Sequence, residues 1–152
     1  MAPSTVQHAV RPIKTKTTRL LIISDTHNQR LFPSTDTDHA FREPLPKADV
    51  LLHTGDLTMI GMIQEYEKTI DMIAGIDAEL KLVIAGNHDV SLDEDFYRTD
   101  GERMHSYDYD RTMPAKAQYL WKEKAREKGI TYLEEGMHAF ELKSGVKFKV
   151  GL

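Results

Sequence analysis

The sequence contains no cysteine. That excludes disulfides, thiolate nucleophiles and zinc-thiolate sites together, and leaves carboxylate, imidazole and amide as metal-binding groups. No aliphatic run is longer than the four residues Leu20 to Ile23, against roughly 20 needed to cross a bilayer, and no apolar stretch follows Met1 as a secretory signal requires. A global excess of positive charge is also missing, since 20 Lys and Arg stand against 24 Asp and Glu for a net charge of -4. Nothing in the composition points to a nucleic-acid polymer or an anionic membrane as partner, and a soluble cytoplasmic protein is expected. The first 19 residues lack acidic side chains but carry Arg11, Lys14, Lys16 and Arg19 among Ser, Thr and Pro. Residues 1–19 therefore read as a flexible basic tail, with a mitochondrial targeting segment as the alternative.

What is present suits one α/β domain over residues 20–152, because 152 residues with 40% hydrophobic content can bury a core of that size. Three short runs are continuously apolar rather than alternating: Leu20 to Ile23, Asp49 to His53 and Leu80 to Ala85. Strands covered on both faces read this way. Between the second and third, Ile60, Ile63, Tyr66, Ile70 and Ile73 recur at helical spacing, opposite Glu65, Glu67, Lys68 and Asp71, with Gly75 as a stop. The spacing predicts a strand-helix-strand unit. Pro33, Pro44 and Pro46 make the connection between the first two strands irregular, with at most a short helix around Asp38 to Arg42. Residues 91–111 lack periodicity and read as a long surface loop, whose Arg98, Arg103 or Arg111 could reach a substrate phosphate. Pro114 opens a helix carrying Ala117, Leu120, Trp121 and Ala125, and short strands follow at Ile130 to Leu133, His138 to Leu142 and Val146 to Val150.

Each of the three apolar runs ends in groups that bind metals: Asp25-Thr26-His27, Gly55-Asp56 and Gly86-Asn87-His88-Asp89. Parallel strands deliver their carboxyl ends to one edge, where open α/β sheets bind ligands, so clusters 31 residues apart (25 to 56, 56 to 87) converge on one site. Gly55 and Gly86 let the backbone turn tightly beside an ion or phosphate. Oxygen and nitrogen donors without sulfur suit Mn, Fe, Zn or Ni, and a carboxylate on the middle cluster, Asp56, can bridge two ions. His53, inside an apolar run, reads as a satisfied strand histidine, and His8, His39, His105 and His138 show no partner pattern.

These three blocks resemble the first three motifs of the calcineurin-like metallophosphoesterase superfamily. Residues 46–58, Pro-Lys-Ala-Asp-Val-Leu-Leu-His-Thr-Gly-Asp-Leu-Thr, are similar to the branch holding the brain metallophosphoesterase-domain proteins and fungal Ser/Thr phosphatase-like relatives. The resemblance implies a four-layer α/β/β/α sandwich, of which this chain carries the N-terminal part, with the C-terminal portion absent. It implies two divalent metal ions, with Asp25 and His27 on the first, Asp56 bridging and Asn87 on the second. His88 would be the catalytic histidine, protonating the leaving oxygen, and Asp89 would orient its imidazole. The implied reaction is in-line attack of a metal-activated hydroxide on a small phosphomonoester or phosphodiester, a cyclic nucleotide among the candidates. The family pattern continues with a lone His and a Gly-His-x-His block, and neither follows here. An incomplete metal site with feeble hydrolysis is therefore expected, the alternative being a noncatalytic truncated or splice product that binds a metal or a protein weakly.

Overall fold

Strands that are apolar on both faces need cover on both sides, and the computed structural model, which describes residues 15–39 and 41–152, supplies it for the central strands. Four parallel strands, β1 (Leu20–Ile23), β2 (Ala48–His53), β3 (Ala78–Val83) and β4 (Ile130–Tyr132), form one sheet in the order β1-β2-β3-β4. The registers align Ile23 with His53, His53 with Val83 and Val83 with Tyr132, so the carboxyl ends finish on one edge. Helix α1 (Ile63–Ala74) crosses from β2 to β3. Helix α2 (Glu94–His105) follows β3, and α3 (Met113–Tyr119) runs through a π turn at Leu120–Lys124 into α4 (Ala125–Glu127). The chain closes with an antiparallel hairpin, β5 (Met137–Glu141) and β6 (Lys147–Gly151). The architecture is the α/β class with the parallel sheet expected. Among the described residues no helix is long and apolar enough to cross a membrane.

Alternation along the strands divides the core in two. Leu51 and Val83 face the helices and pack with Tyr66, Ile70, Ile73, Trp121 and Ile130, whereas Val50 and Leu82 face the other way, against Leu133, Leu142 and the hairpin. Lys81 lies on the helical side with its stem buried, and its amine donates to the Ala74 carbonyl at 2.6 Å, closing the end of α1. Burial lowers the pKa of that amine. The hairpin does not reach β1, where Leu20 and Ile22 stay 55% and 60% exposed.

Four expectations change. Residues 91–111 are not a loop, since α2 occupies most of them. Asp93 accepts a hydrogen bond from the Phe96 backbone N–H, Glu94 and Asp95 sit in the first turn, and Arg103 and His105 in the last. These caps, with the pairs Arg98–Asp95 and Arg103–Asp100, support a helix whose apolar stripe is too thin to show as a period. The same pairs hold two of the arginines proposed for phosphate on the exposed face of α2. Helix α1 begins at Ile63 rather than Ile60, because Gly61 takes φ +76° and the Glu65 carboxylate accepts the Met62 backbone N–H. No helix forms among the described residues of 38–42. Phe32 pairs with Arg42 instead, and Ala40 lies outside the described residues. Residues 1–14 of the expected tail also lie outside them, while Arg19 joins the sheet edge by accepting the Asp49 and Val50 backbone N–H groups.

Leu51 is fully buried at the centre of the sheet. Its replacement by alanine is expected to destabilise the chain by about 2–5 kcal/mol, read as a lower urea midpoint in far-ultraviolet circular dichroism.

Candidate metal centre

The loops after β1, β2 and β3 are laced together mainly by backbone. Asp25 N–H donates to the Gly55 carbonyl, His27 N–H to Asp56 and Asn28 N–H to Leu57, at 2.9–3.1 Å, which continues the β1–β2 pairing past the strand ends. Holding this course places Asp25, His27, Asn28 and Asp56 at φ between 44° and 62°. Left-handed backbone at four non-glycine residues costs free energy that the cross-loop bonds must offset, and such strain gathers at functional sites. Gly55 and Gly86 touch. A Cβ on Gly86 would lie 2.2 Å from both the backbone nitrogen and Oδ1 of Asp56, so the missing side chain is the space that Asp56 fills.

The third loop exchanges hydrogen bonds with the second. His88 N–H donates to Asp56 Oδ1 at 3.1 Å. Asp89, 1% exposed, accepts from the N–H groups of Leu57 and Gly86 on Oδ2 and from the N–H and hydroxyl of Thr58 on Oδ1. Burial pushes this carboxyl above the ordinary carboxylate range against the opposing pull of those four bonds.

Ligand atoms of His27, Asp56 and His88 all come within 4.8 Å of one another. His27 Nδ1 lies 3.1 Å from the Thr58 carbonyl and His88 Nδ1 lies 2.7 Å from the Met59 carbonyl. A carbonyl only accepts, so both rings carry hydrogen on Nδ1, which leaves Nε2 as the atom free to bind an ion or to hold a further proton. Two imidazole nitrogens and one carboxylate around a small space fit a borderline divalent ion of the Mn, Fe, Zn or Ni kind.

Of the other expected ligands, Asp25 is exposed with Oδ1 3.9 Å from His27 Nε2, and Asn87 is exposed on the third loop. The expectation that Asp89 orients the His88 imidazole needs correction. All four hydrogen bonds to its carboxylate come from Leu57, Thr58 and Gly86, and the group on His88 Nδ1 is the Met59 carbonyl. A backbone oxygen leaves no mark in a sequence, whereas the Asp next to the histidine is conspicuous. His53 is also only half satisfied. Nε2 meets the Thr26 hydroxyl at 2.9 Å, while Nδ1 is buried without a partner among the described residues.

Two outcomes follow. Gly86→Ala is expected to displace Asp56 and weaken Mn²⁺ or Co²⁺ binding by about 10- to 100-fold, measured by equilibrium dialysis. Burial holds His53 at about 4 against its ordinary 6.5. A depressed histidine binds fewer protons folded than unfolded, so its contribution is full above 6.5 and fades as pH falls toward about 4, a loss of about 3 kcal/mol. Urea midpoints of the metal-free chain should drop over that window, and the drop should shrink in His53→Gln.

A sequence profile of the family described as Calcineurin-like phosphoesterase matches residues 18–146. The chain is 30% identical over 132 residues to the Probable rhamnogalacturonate lyase C of Emericella nidulans, a match covering 87% of this chain and 10% of that protein. It is 37% identical over 79 residues to the human Metallophosphoesterase domain-containing protein 1, covering 52% of this chain and 21% of that protein. With UPF0046 protein C25E10.12 of Caenorhabditis elegans the identity is 36% over 93 residues, 61% of this chain and 28% of that protein. The chain thus spans between a tenth and about a quarter of the length of these relatives. The profile match extends over all three strand-end clusters and most of the described residues, and the chain belongs to the calcineurin-like phosphoesterase family.

Proposed function

We propose that this edge site serves metal-dependent hydrolysis of a small phosphate monoester or diester. The observation that carries the reading is the convergence of His27, Asp56 and His88 with both Nδ1 atoms held by consecutive carbonyls. His27 and Asp56 would hold a divalent ion, Asp25 would join His27 from the same loop, and Asn87 would add an amide oxygen beside Asp56. Such ions polarise a phosphoryl oxygen and acidify a coordinated water.

The remaining work falls to the chain. His88 would hold a proton at Nε2 and deliver it to the leaving oxygen, its ring fixed by Met59. An imidazole suits this because it exchanges protons near neutrality. The Asp56 carboxylate is kept at the centre by the His88 N–H, so the ligand and the proton carrier are positioned by one hydrogen bond. Manganese, a cyclic-nucleotide substrate and a cytoplasmic setting are finer points of the same proposal. The lyase named among the relatives does not bear on it, since the match covers a tenth of that protein.

The test is hydrolysis of bis-(p-nitrophenyl) phosphate with Mn²⁺ titrated in. Slow metal-dependent turnover is expected, lost in Asp56→Asn and reduced about 100-fold or more in His88→Ala. Turnover indifferent to His88→Ala would remove the proton-transfer role. Saturable Mn²⁺ binding without turnover would replace the hydrolase reading with that of a noncatalytic metal-binding chain.

A further inference from the structure

The two carbonyls that fix His27 and His88 belong to one short segment, Thr58 to Gly61, and this segment is held from several sides. Thr58 is pinned by Asp89. Its hydroxyl accepts the Gly61 N–H at 2.9 Å, and the Ser91 hydroxyl donates to the Gly61 carbonyl at 2.6 Å. Glu65, at the start of α1, accepts the N–H groups of Met59 and Ile60 at 3.2–3.3 Å. The remaining backbone oxygen of the segment, that of Ile60, is taken by a side chain 45 residues away. It lies 2.6 Å from Nε2 of His105 at the end of α2.

His105 is 5% exposed and has a partner on each ring nitrogen. Facing a carbonyl, Nε2 must carry hydrogen, so Nδ1 accepts, and the Tyr97 hydroxyl lies 2.9 Å from it. Tyr97 is itself buried, stacks on Tyr109 with ring centroids 5.5 Å apart, and presses against Gly101, where a Cβ would come within 3.0 Å of its ring. The hydroxyl is therefore fixed relative to α2, and it sets the His105 tautomer. A helix outside the metal centre thereby grips the peptide next to Met59, whose carbonyl orients His88.

We propose that His105 is a positioning residue for the metal centre: through the Ile60 carbonyl it holds segment 58–61 so that the Met59 and Thr58 carbonyls keep the Nδ1–H tautomer of His88 and His27. The inference rests on both imidazoles serving the centre but not on turnover. A leucine of similar bulk would fill the space and lose the donor. A glutamine would return an N–H near the Nε2 position.

The test uses the chain labelled with ¹⁵N at histidine, free of metal, with long-range proton-nitrogen spectra to read the ring tautomers and Co²⁺ titration to read affinity. His105→Leu is expected to move His88 from the Nδ1–H form toward a mixture and to weaken Co²⁺ binding about tenfold, and His105→Gln to restore both. Parent-like His88 signals and Co²⁺ affinity in His105→Leu would overturn the proposal, as would a glutamine variant as impaired as the leucine one. Should His105→Leu fail to fold, His105→Met, which is of similar volume and also lacks the donor to the Ile60 carbonyl, carries the same test. A partial shift of His88 in the same direction supports the proposal, and an unmoved His88 overturns it. Absence of phosphate-ester hydrolysis leaves these readings unchanged.

Discussion

The buried carboxylate of Asp89 is the constraint on which the centre depends. A carboxylate taken out of water is tolerated only where donors replace its hydration, and here three backbone N–H groups and one hydroxyl do so. Three of those four come from Leu57 and Thr58, so the charge and the loop after β2 fix one another. Removing either partner would leave the other buried and unpaired, which makes the arrangement stiff rather than merely favourable. From this anchor the order runs outward. Thr58 presents its carbonyl to His27, Met59 presents its own to His88, and the His88 N–H returns to Asp56.

The same lacing accounts for the strained backbone. Left-handed φ values at Asp25, His27, Asn28 and Asp56 would relax if the loops were independent. They persist because each strand delivers its loop to one edge at a spacing set by the parallel register, and because the loops go on pairing after the strands end. Two glycines in contact, Gly55 and Gly86, bring the second and third loops closer than any side chain would allow. The sheet thus does more than hold the site. It forces three loops into a volume in which only particular dihedral angles fit.

Much of this was legible in the sequence, and the reason is specific. The runs at Leu20, Asp49 and Leu80 announce buried parallel strands, and polar groups that follow such runs must gather at one edge, so the meeting of the three loops that carry His27, Asp56 and His88 could be named without coordinates. What escaped is what backbone atoms do. The carbonyls of Thr58, Met59 and Ile60 orient three imidazoles, and nothing in the identities Thr, Met and Ile signals it. Helix α2 escaped for a different reason. Capping at Asp93 and i,i+3 ion pairs stabilise it, while its buried residues are Tyr97, Gly101 and His105, a stripe too polar to register as a hydrophobic period. His105 carries no signal of its own in the sequence, because its partners, Tyr97 and Ile60, cannot be paired with it by spacing.

His27 and His88 meet edge to face with centroids 4.6 Å apart, and each has Nδ1 on a carbonyl of neighbouring residues. Ring orientation therefore does not distinguish the roles proposed for the two histidines. A ring held in this way can bind an ion while neutral or donate a proton while charged, without moving, since a carbonyl accepts the Nδ1 hydrogen in either form. The distinction must come from what else surrounds Nε2. His27 has the Asp25 carboxylate 3.9 Å away on its own loop, a second anionic donor that favours holding a cation there. His88 is flanked in the chain by neutral Asn87 and by Asp89, whose carboxylate is already engaged by Leu57, Thr58 and Gly86. On the proposed reading the two roles would separate through the carboxylate that only His27 has free beside it, although one backbone segment orients both rings.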